Sequence, residues 1–178
     1  MENRDIRCCF TGHRSRKLPW RTNEYDPRCV VLKASIKASL EGIYQAGYRH
    51  FMCGMALGCD MYFAEAVIEL REKYRDVILE AAIPCGDQPE KWARQHRQRY
   101  NRLIDSCDKV TVLQISYSHD CMMKRNKYMV DMSSMLLACF NGENGGTMNT
   151  LLYAQRSGIE SLRIDIPYDD ESENGVES

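Results

Sequence analysis

Short apolar runs alternate with longer amphipathic stretches from one end of this chain to the other, and few folds suit that pattern. Residues 6–10 read as a first strand that runs into Thr11-Gly12-His13-Arg14. Pro27 then sits where a first helical turn tolerates it, and Leu32, Ile36, Leu40 and Ile43 repeat at helical spacing until Gly47. Residues 50–53 form a second strand, ended by Gly54-Met55-Ala56-Leu57-Gly58. Asp60 follows in a helix-capping position, ahead of Phe63, Val67 and Leu70. Residues 77–83 make a third strand, after which Pro89 and Glu90 open a helix carrying Trp92, Tyr100 and Leu103. A strand at 110–113, a helix around 122–131 and a strand at 136–140 come next. A helix bearing Met148, Leu151 and Leu152 and a strand at 162–166 complete the series. Six strands with intervening helices predict a mainly parallel sheet covered on both faces. Right-handed crossovers make it a single Rossmann-like, doubly wound α/β domain.

Composition agrees with one such domain. The chain has 178 residues, 44% of them hydrophobic and 28% charged, which excludes a wholly disordered polymer. Its formal net charge of -1 argues against a protein that coats nucleic acid or an acidic membrane. Five acids and no base fall in residues 169–178, leaving 24 bases against 20 acids, a net +4, on residues 1–168. The expected organisation is a folded domain over 1–168 and an acidic, disordered, solubilising tail over 169–178.

The 9 cysteines contain no Cys-x-x-Cys pair and no zinc spacing, and several lie inside apolar runs. They read as small core hydrophobes, with no metal site. The chain opens Met-Glu-Asn-Arg-Asp without an apolar leader, and no apolar run approaches ~18 residues. The expectation is a reduced, cytoplasmic setting without membrane insertion.

In an open parallel sheet, ligands bind beyond the carboxyl ends of the strands. Three glycine-bearing loops fall there: Thr11-Gly12-His13-Arg14, Gly54 to Gly58, and Gly142 to Thr147. Glycine lets backbone approach a ligand, and a following helix N-terminus offers N–H groups to an anion. Any one loop is ordinary turn chemistry. Three in βα positions, with hydroxyls at Thr11 and Thr147 and cations at His13 and Arg14, describe a pocket for a phosphorylated ligand. No Gly-x-x-x-x-Gly-Lys-[Ser/Thr] loop is present, and no Gly-x-Gly-x-x-Gly follows the first strand. ATP hydrolysis on a Walker loop and ordinary nicotinamide hydride transfer are therefore not expected.

These residues carry a resemblance. Cys9-Phe10-Thr11-Gly12-His13-Arg14, Leu18-Pro19-Trp20 and Gly54-Met55-Ala56-Leu57-Gly58-Cys59-Asp60 resemble the YpsA-like family of the SLOG superfamily. So do Ala82-Ile83-Pro84-Cys85, Arg125-Asn126-x-x-Met129-Val130-Asp131 and Gly145-Gly146-Thr147-x-x-Thr150-x-x-x-Ala154, in order across residues 6–166. The superfamily also holds the DprA single-strand DNA-binding proteins and the LOG phosphoribohydrolases. The resemblance implies a Rossmann-like fold and a pocket for nucleotides or nucleotide-derived molecules. LOG enzymes carry a catalytic glutamate in Pro-Gly-Gly-x-Gly-Thr-x-x-Glu, where this chain has Thr150. Threonine cannot serve as a general base near neutral pH or support an oxocarbenium-like centre as a carboxylate can. The resemblance thus points to binding without hydrolysis.

The remaining candidates each have a plain alternative. Asp60 is the carboxylate for catalysis or ribose binding, or simply a helix cap. His13 is an acid–base group, an anion contact or a loop-packing residue. Glu80 reads as a buried structural acid, and Cys59 and Cys85 lie beside the pocket. Arg125 and Asn126 contact ligand by the resemblance, or form a solvated basic helix face. Tyr117 and Tyr128 either stack on a base or, the favoured reading, pack in the core. Residues 89–103 hold five Lys/Arg against one Glu with Trp92 and Tyr100 interleaved, a nucleic-acid signature that also fits a helix with arginines in water.

The leading expectation is a binding or sensor module for a nucleotide-derived ligand of the phosphorylated nucleoside, NAD or ADP-ribose type. Its cradle would comprise Thr11, Gly12, His13, Arg14, Gly54, Gly58, Asp60, Arg125, Asn126, Gly145, Gly146 and Thr147. The alternatives are an N-glycosidic-bond hydrolase using Asp60 and a single-stranded nucleic-acid binder using the arginines of 91–102. Self-association is left open.

Overall fold

The computed structural model describes residues 3–168; the acidic segment 169–178 lies outside the described residues. Six strands, β1 (Arg7–Gly12), β2 (His50–Cys53), β3 (Ile78–Ile83), β4 (Lys109–Val112), β5 (Met135–Phe140) and β6 (Glu160–Asp165), form one sheet. Their order is β4-β3-β2-β1-β5-β6, and every pairing is parallel. The chain therefore builds outward from β1 in one direction, then crosses back to lay β5 on the other side of β1. That reversal is a topological switch point, where the loops beyond β1 and β5 splay apart and leave a crevice.

Helices α1 (Pro27–Gln45), α2 (Cys59–Lys73) and α3 (Arg94–Asp105) pack together on one face, and α4 (Cys121–Asp131) and α5 (Gly146–Arg156) on the other. α1 shows why the sequence pattern works. Asp26 accepts the Arg28 N–H as N-cap, Pro27 starts the first turn, and Cys29, Leu32, Ile36, Leu40 and Ile43 form one buried stripe. Gly47, at φ +107°, then ends the run in a conformation that disfavours side chains.

The two faces differ in content. Phe10, Phe51, Phe63, Leu79 and Leu137 fill the α1–α3 side, where Phe10 and Phe63 stack with centroids 4.4 Å apart. The α4–α5 side has a thinner core of Cys9, Met52, Ala82, Val130, Leu136 and Ala154. Alternation along each strand sends successive residues to opposite faces. The same strands therefore carry aromatic packing on one side and, on the other, a thinner apolar layer with buried Thr11, His50 and Glu80 beside it.

Two local expectations are corrected. α3 starts at Arg94, because residues 84–93 form successive turns after Pro84 and not a helix opened by Pro89 and Glu90. Gly58 is the N-cap of α2, so Asp60 lies inside the first turn. None of the helices among the described residues is long and apolar enough to cross a membrane.

Candidate functional site

The crevice at the switch point is a cleft of about 120 Å³. The end of β1 and its loop, the first turn of α2, one side of α4 and the N-terminus of α5 enclose it. Of the sequence candidates, Thr11, Gly12, His13, Arg14, Asp60, Arg125, Asn126, Gly146 and Thr147 line it directly. Gly54, Gly58 and Gly145 act from behind.

Arg125 is the central feature. Its side chain is buried inside a helix that reads as a basic surface helix, so the solvated alternative fails for this residue. Nη1 donates to the Gly54 carbonyl at 2.7 Å and Nε to Asn126 Oδ1 at 2.7 Å. The guanidinium lies so close to the Gly54 backbone that a Cβ there would sit 1.9 Å from Nη1. Glycine at 54 is thus a steric requirement of Arg125. Gly58 is required for a second reason: φ is +100°, and a Cβ would meet the Ser15 nitrogen at 2.6 Å. Between them Met55 is fully buried at φ +54°, a conformation that non-glycine residues rarely hold outside functional loops.

Arg14 enters from the opposite wall. Its Nη2 reaches the Met122 thioether at 3.5 Å, and Arg125 Nη2 reaches the same sulfur at 3.9 Å. Two guanidiniums therefore converge on a weak acceptor. Burial lowers the Arg125 pKa, and the nearby Arg14 charge pushes the same way, while Asp60 opposes both. Arg16 and Lys17 add further positive charge at the rim.

Among the described residues, Asp60 is the one carboxylate lining this cleft. Its Oδ2 accepts the Ala56 N–H at 3.0 Å, so it folds back to hold the Gly54–Gly58 loop and does not cap its own helix. Burial raises its pKa, against the pull of Arg125 and of the backbone donors.

His13 is buried and held at both ring nitrogens. Nε2 meets the Asn141 carbonyl oxygen, and Nδ1 lies 3.5 Å from the Thr147 hydroxyl. Asn141 Oδ1 also accepts the Glu143 N–H, and its amide nitrogen donates to the Tyr168 hydroxyl at 2.7 Å. With its oxygen so placed, Asn141 requires the His13 proton on Nε2. The α5 N-terminus beside it has no side-chain cap, and a Cβ on Gly146 would meet nothing within 4 Å. Gly145, the N-cap at φ +151°, sits against the Lys17 ammonium. Thr150, where a LOG glutamate would fall, is buried and donates its hydroxyl back to the Gly146 carbonyl at 2.8 Å. It contributes no group to the cleft.

Other candidates resolve elsewhere. Glu80 is fully buried, as the sequence suggested, and Tyr128 donates to it at 3.2 Å. Tyr117 contradicts the core-packing expectation, since it is 64% exposed. Cys59 is buried and its thiol pKa is raised by contact with the Cys139 thiol and by burial. Burial and its Asp87 contact push Cys85 up to about 12, so neither thiol is an activated nucleophile. Arg99 of α3 is engaged by both Glu24 and Glu65, which weakens the basic-helix route to nucleic acid. Trp92 and Tyr100 pack edge-on at 5.5 Å toward the core.

Sequence reasoning missed Ala56, Met122 and the structural role of Asn141. Ala56 and Met122 are unremarkable as residue types. Asn141 was visible only as the residue just before the third glycine loop.

The YpsA model, described as the YspA SLOG family, matches residues 8–166. YoqJ of Bacillus subtilis, named an uncharacterized SPbeta prophage-derived protein, is 26% identical over 145 residues, 74% of this chain and 85% of YoqJ. A UPF0398 protein of Bacillus pumilus is 27% identical over 124 residues, 68% of this chain and 67% of that protein. Among solved structures, DNA processing protein A (DprA) of Streptococcus pneumoniae superposes with a TM-score of 0.62 at 12% identity. It covers 94% of this chain, which in turn spans about half, 52%, of DprA. DprA of Helicobacter pylori, solved for its single-stranded DNA binding mode, gives 0.57 at 14% identity, covering 89% of this chain and 64% of that one. At these identities the two structures share the fold. The family match spans nearly all of the described residues, and the chain belongs to the YpsA family of SLOG proteins.

Proposed function

We propose that this protein is a binding module for a nucleotide or nucleotide-derived anion, seated by its phosphate in the switch-point cleft. The observation that carries this reading is the convergence of Arg14 and Arg125 on the Met122 sulfur. Two like charges facing a weak acceptor repel one another until an oxyanion stands between them. The uncapped α5 N-terminus, with Thr147 in its first turn, adds backbone N–H donors to the cleft. Among the described residues lining the cleft, four cations, Arg14, Arg16, Lys17 and Arg125, stand against the Asp60 carboxylate. A cleft of about 120 Å³ falls below the ~300–1,000 Å³ usual for whole ligands, so it fits a phosphate group with the rest of the molecule outside.

The same geometry favours binding over hydrolysis. The Thr150 hydroxyl is engaged by its own helix, and the Asp60 carboxylate is tied to the Ala56 N–H. The names of relatives add that nucleic-acid binding occurs elsewhere on this fold.

A thermal-shift panel of pyrophosphate, mononucleotides, NAD, ADP-ribose and short single-stranded DNA tests the reading, because a ligand of the native state raises its melting temperature. Stabilisation by phosphate-bearing small molecules is the expected result. No shift with any of them contradicts it. Release of free base from AMP, abolished in Asp60→Asn, would instead establish the hydrolase.

A further inference from the structure

At about 120 Å³ the anion seat leaves most of a nucleotide outside, and a larger groove of about 550 Å³ opens from it between α4 and α5. Met122, Asn126 and Gly146 line both. A smaller neighbour of the seat, of about 260 Å³, shares Arg14 and Met122 with it but has Asp87 and Glu90 in its walls. Among the described residues no carboxylate lines the α4–α5 groove, whereas Lys127 and Arg156 do. An anionic remainder of a ligand anchored in the seat is therefore drawn along α4 and α5, and repelled by Asp87 and Glu90.

The two groove cations gather around one ring. Lys127 Nζ lies over Tyr153, 5.5 Å from its centroid, and Arg156 follows three residues later on the same side of α5. The Tyr153 hydroxyl donates to Asp131 at 2.9 Å, which fixes the ring. Lys127 and Arg156 are exposed, and among the described residues neither side chain forms a hydrogen bond or an ion pair. With the ammonium over its face, Tyr153 serves to place a cation more than to stack a base. Tyr153 stands seven residues beyond Gly146, roughly 10 Å along the helix at ~1.5 Å per residue. The adjacent phosphates of a pyrophosphate cannot span that interval. Two phosphates with a sugar between them can, met by the long stems of Lys127 and Arg156. Met122 and the exposed Met123 give the stretch between a soft apolar wall.

We infer that the α4–α5 groove takes a second phosphate, so that the ligand is a nucleotide phosphorylated twice on its sugar, of the nucleoside 3′,5′-bisphosphate class. This rests on the first phosphate occupying the Arg14–Arg125 seat. The second phosphate then meets Lys127 and Arg156, which have no anion of their own to give up. The 5′ end of a phosphorylated single strand offers the same pair of phosphates, and the test separates it from the free nucleotide.

Calorimetric titration of the full chain at low salt with pyrophosphate, AMP, adenosine 3′,5′-bisphosphate and a 5′-phosphorylated oligo(dA) tests this. The bisphosphate should bind about tenfold or more tighter than AMP, an advantage that shrinks in high salt. In Lys127→Gln/Arg156→Gln the ratio of the two affinities should fall to near one. In Arg94→Gln/Arg97→Gln, which removes the same charge from α3 on the other face of the sheet, the ratio should persist. Equal losses in both pairs would show general charge attraction and overturn the groove. Pyrophosphate binding with the bisphosphate no tighter than AMP overturns this inference alone. Failure of pyrophosphate and every nucleotide overturns the anion seat as well. Oligo(dA) binding with no measurable affinity for the bisphosphate overturns the assignment to a free nucleotide. All four substituted residues are exposed, and the wild-type comparison of AMP with the bisphosphate needs no variant.

Discussion

Two buried charged clusters lie under α4, one turn apart, and they have opposite characters. Toward the amino ends of the strands, Glu80 is closed. His50 Nε2 lies 2.7 Å from Oε2, Thr111 donates to Oε1 at 2.7 Å, Tyr128 reaches Oε1, and Arg7 and Lys109 stand within 4.0 Å of Oε2. Toward the carboxyl ends, the Arg125 cluster is open: its partners are a backbone carbonyl, an amide and a thioether, and cations outnumber the carboxylate. Both clusters bury charge, which carries a desolvation penalty. The first neutralises it within the fold, and the second leaves it facing a cleft. Under the proposed function, the first serves stability and the second serves binding.

The sharpest way to break this comparison is Glu80→Ala, which leaves His50, Arg7 and Lys109 without their shared carboxylate. It should cost about 3–5 kcal/mol, read as a lower urea midpoint, with anion affinity of the folded fraction unchanged. The counterpart, Arg125→Met, should cost less stability, about 1–3 kcal/mol for its lost hydrogen bonds, and reduce pyrophosphate affinity by about a hundredfold or more. If the two variants exchanged phenotypes, the division of labour would be wrong.

Acid titration provides a third contrast. His50 and Thr111, aided by Lys109, overcome burial and hold Glu80 at about 2, below the ordinary 4.5. A depressed carboxyl stabilises the fold above its unfolded pKa and loses that contribution as pH falls from about 4.5 toward 2. Asp60 runs the other way: burial raises it, so its ionisation works against folding as pH rises through its titration range. Stability measured from pH 5 down to about 2 should fall steeply in wild type and less steeply in Glu80→Gln. Asp60→Asn should leave the steep acid limb in place. The smallest effect is expected at the rim. Lys17→Ala should weaken anion binding only a few-fold, and the difference should vanish in high salt.

The scaffold was largely readable in advance because its signals are local. The stripe from Leu32 to Ile43 is periodic on its own, and Phe51-Met52-Cys53 of β2 form a short apolar run. Much of the cleft lining was also visible, since Thr11 and Gly12 end β1, His13 and Arg14 follow it, and Gly146–Thr147 open α5. Arg125 was harder: it stands in Lys124-Arg125-Asn126-Lys127, which reads as a wet helix face. Its burial follows from the approach of Gly54, a residue 71 positions away. The role of Asp60 depends on the local fold of the preceding loop, whose Ala56 N–H it accepts. Packing against distant backbone decides Arg125, and a tight local turn decides Asp60.

The central claim is that the Arg14–Arg125 cleft seats an oxyanion. Calorimetric titration of pyrophosphate into wild type and Arg125→Met at low and high salt tests it most directly. The account predicts one site per chain, weakened by salt and lost in the variant while the variant still unfolds cooperatively. Equal binding by both proteins, or none by the wild type, would contradict it.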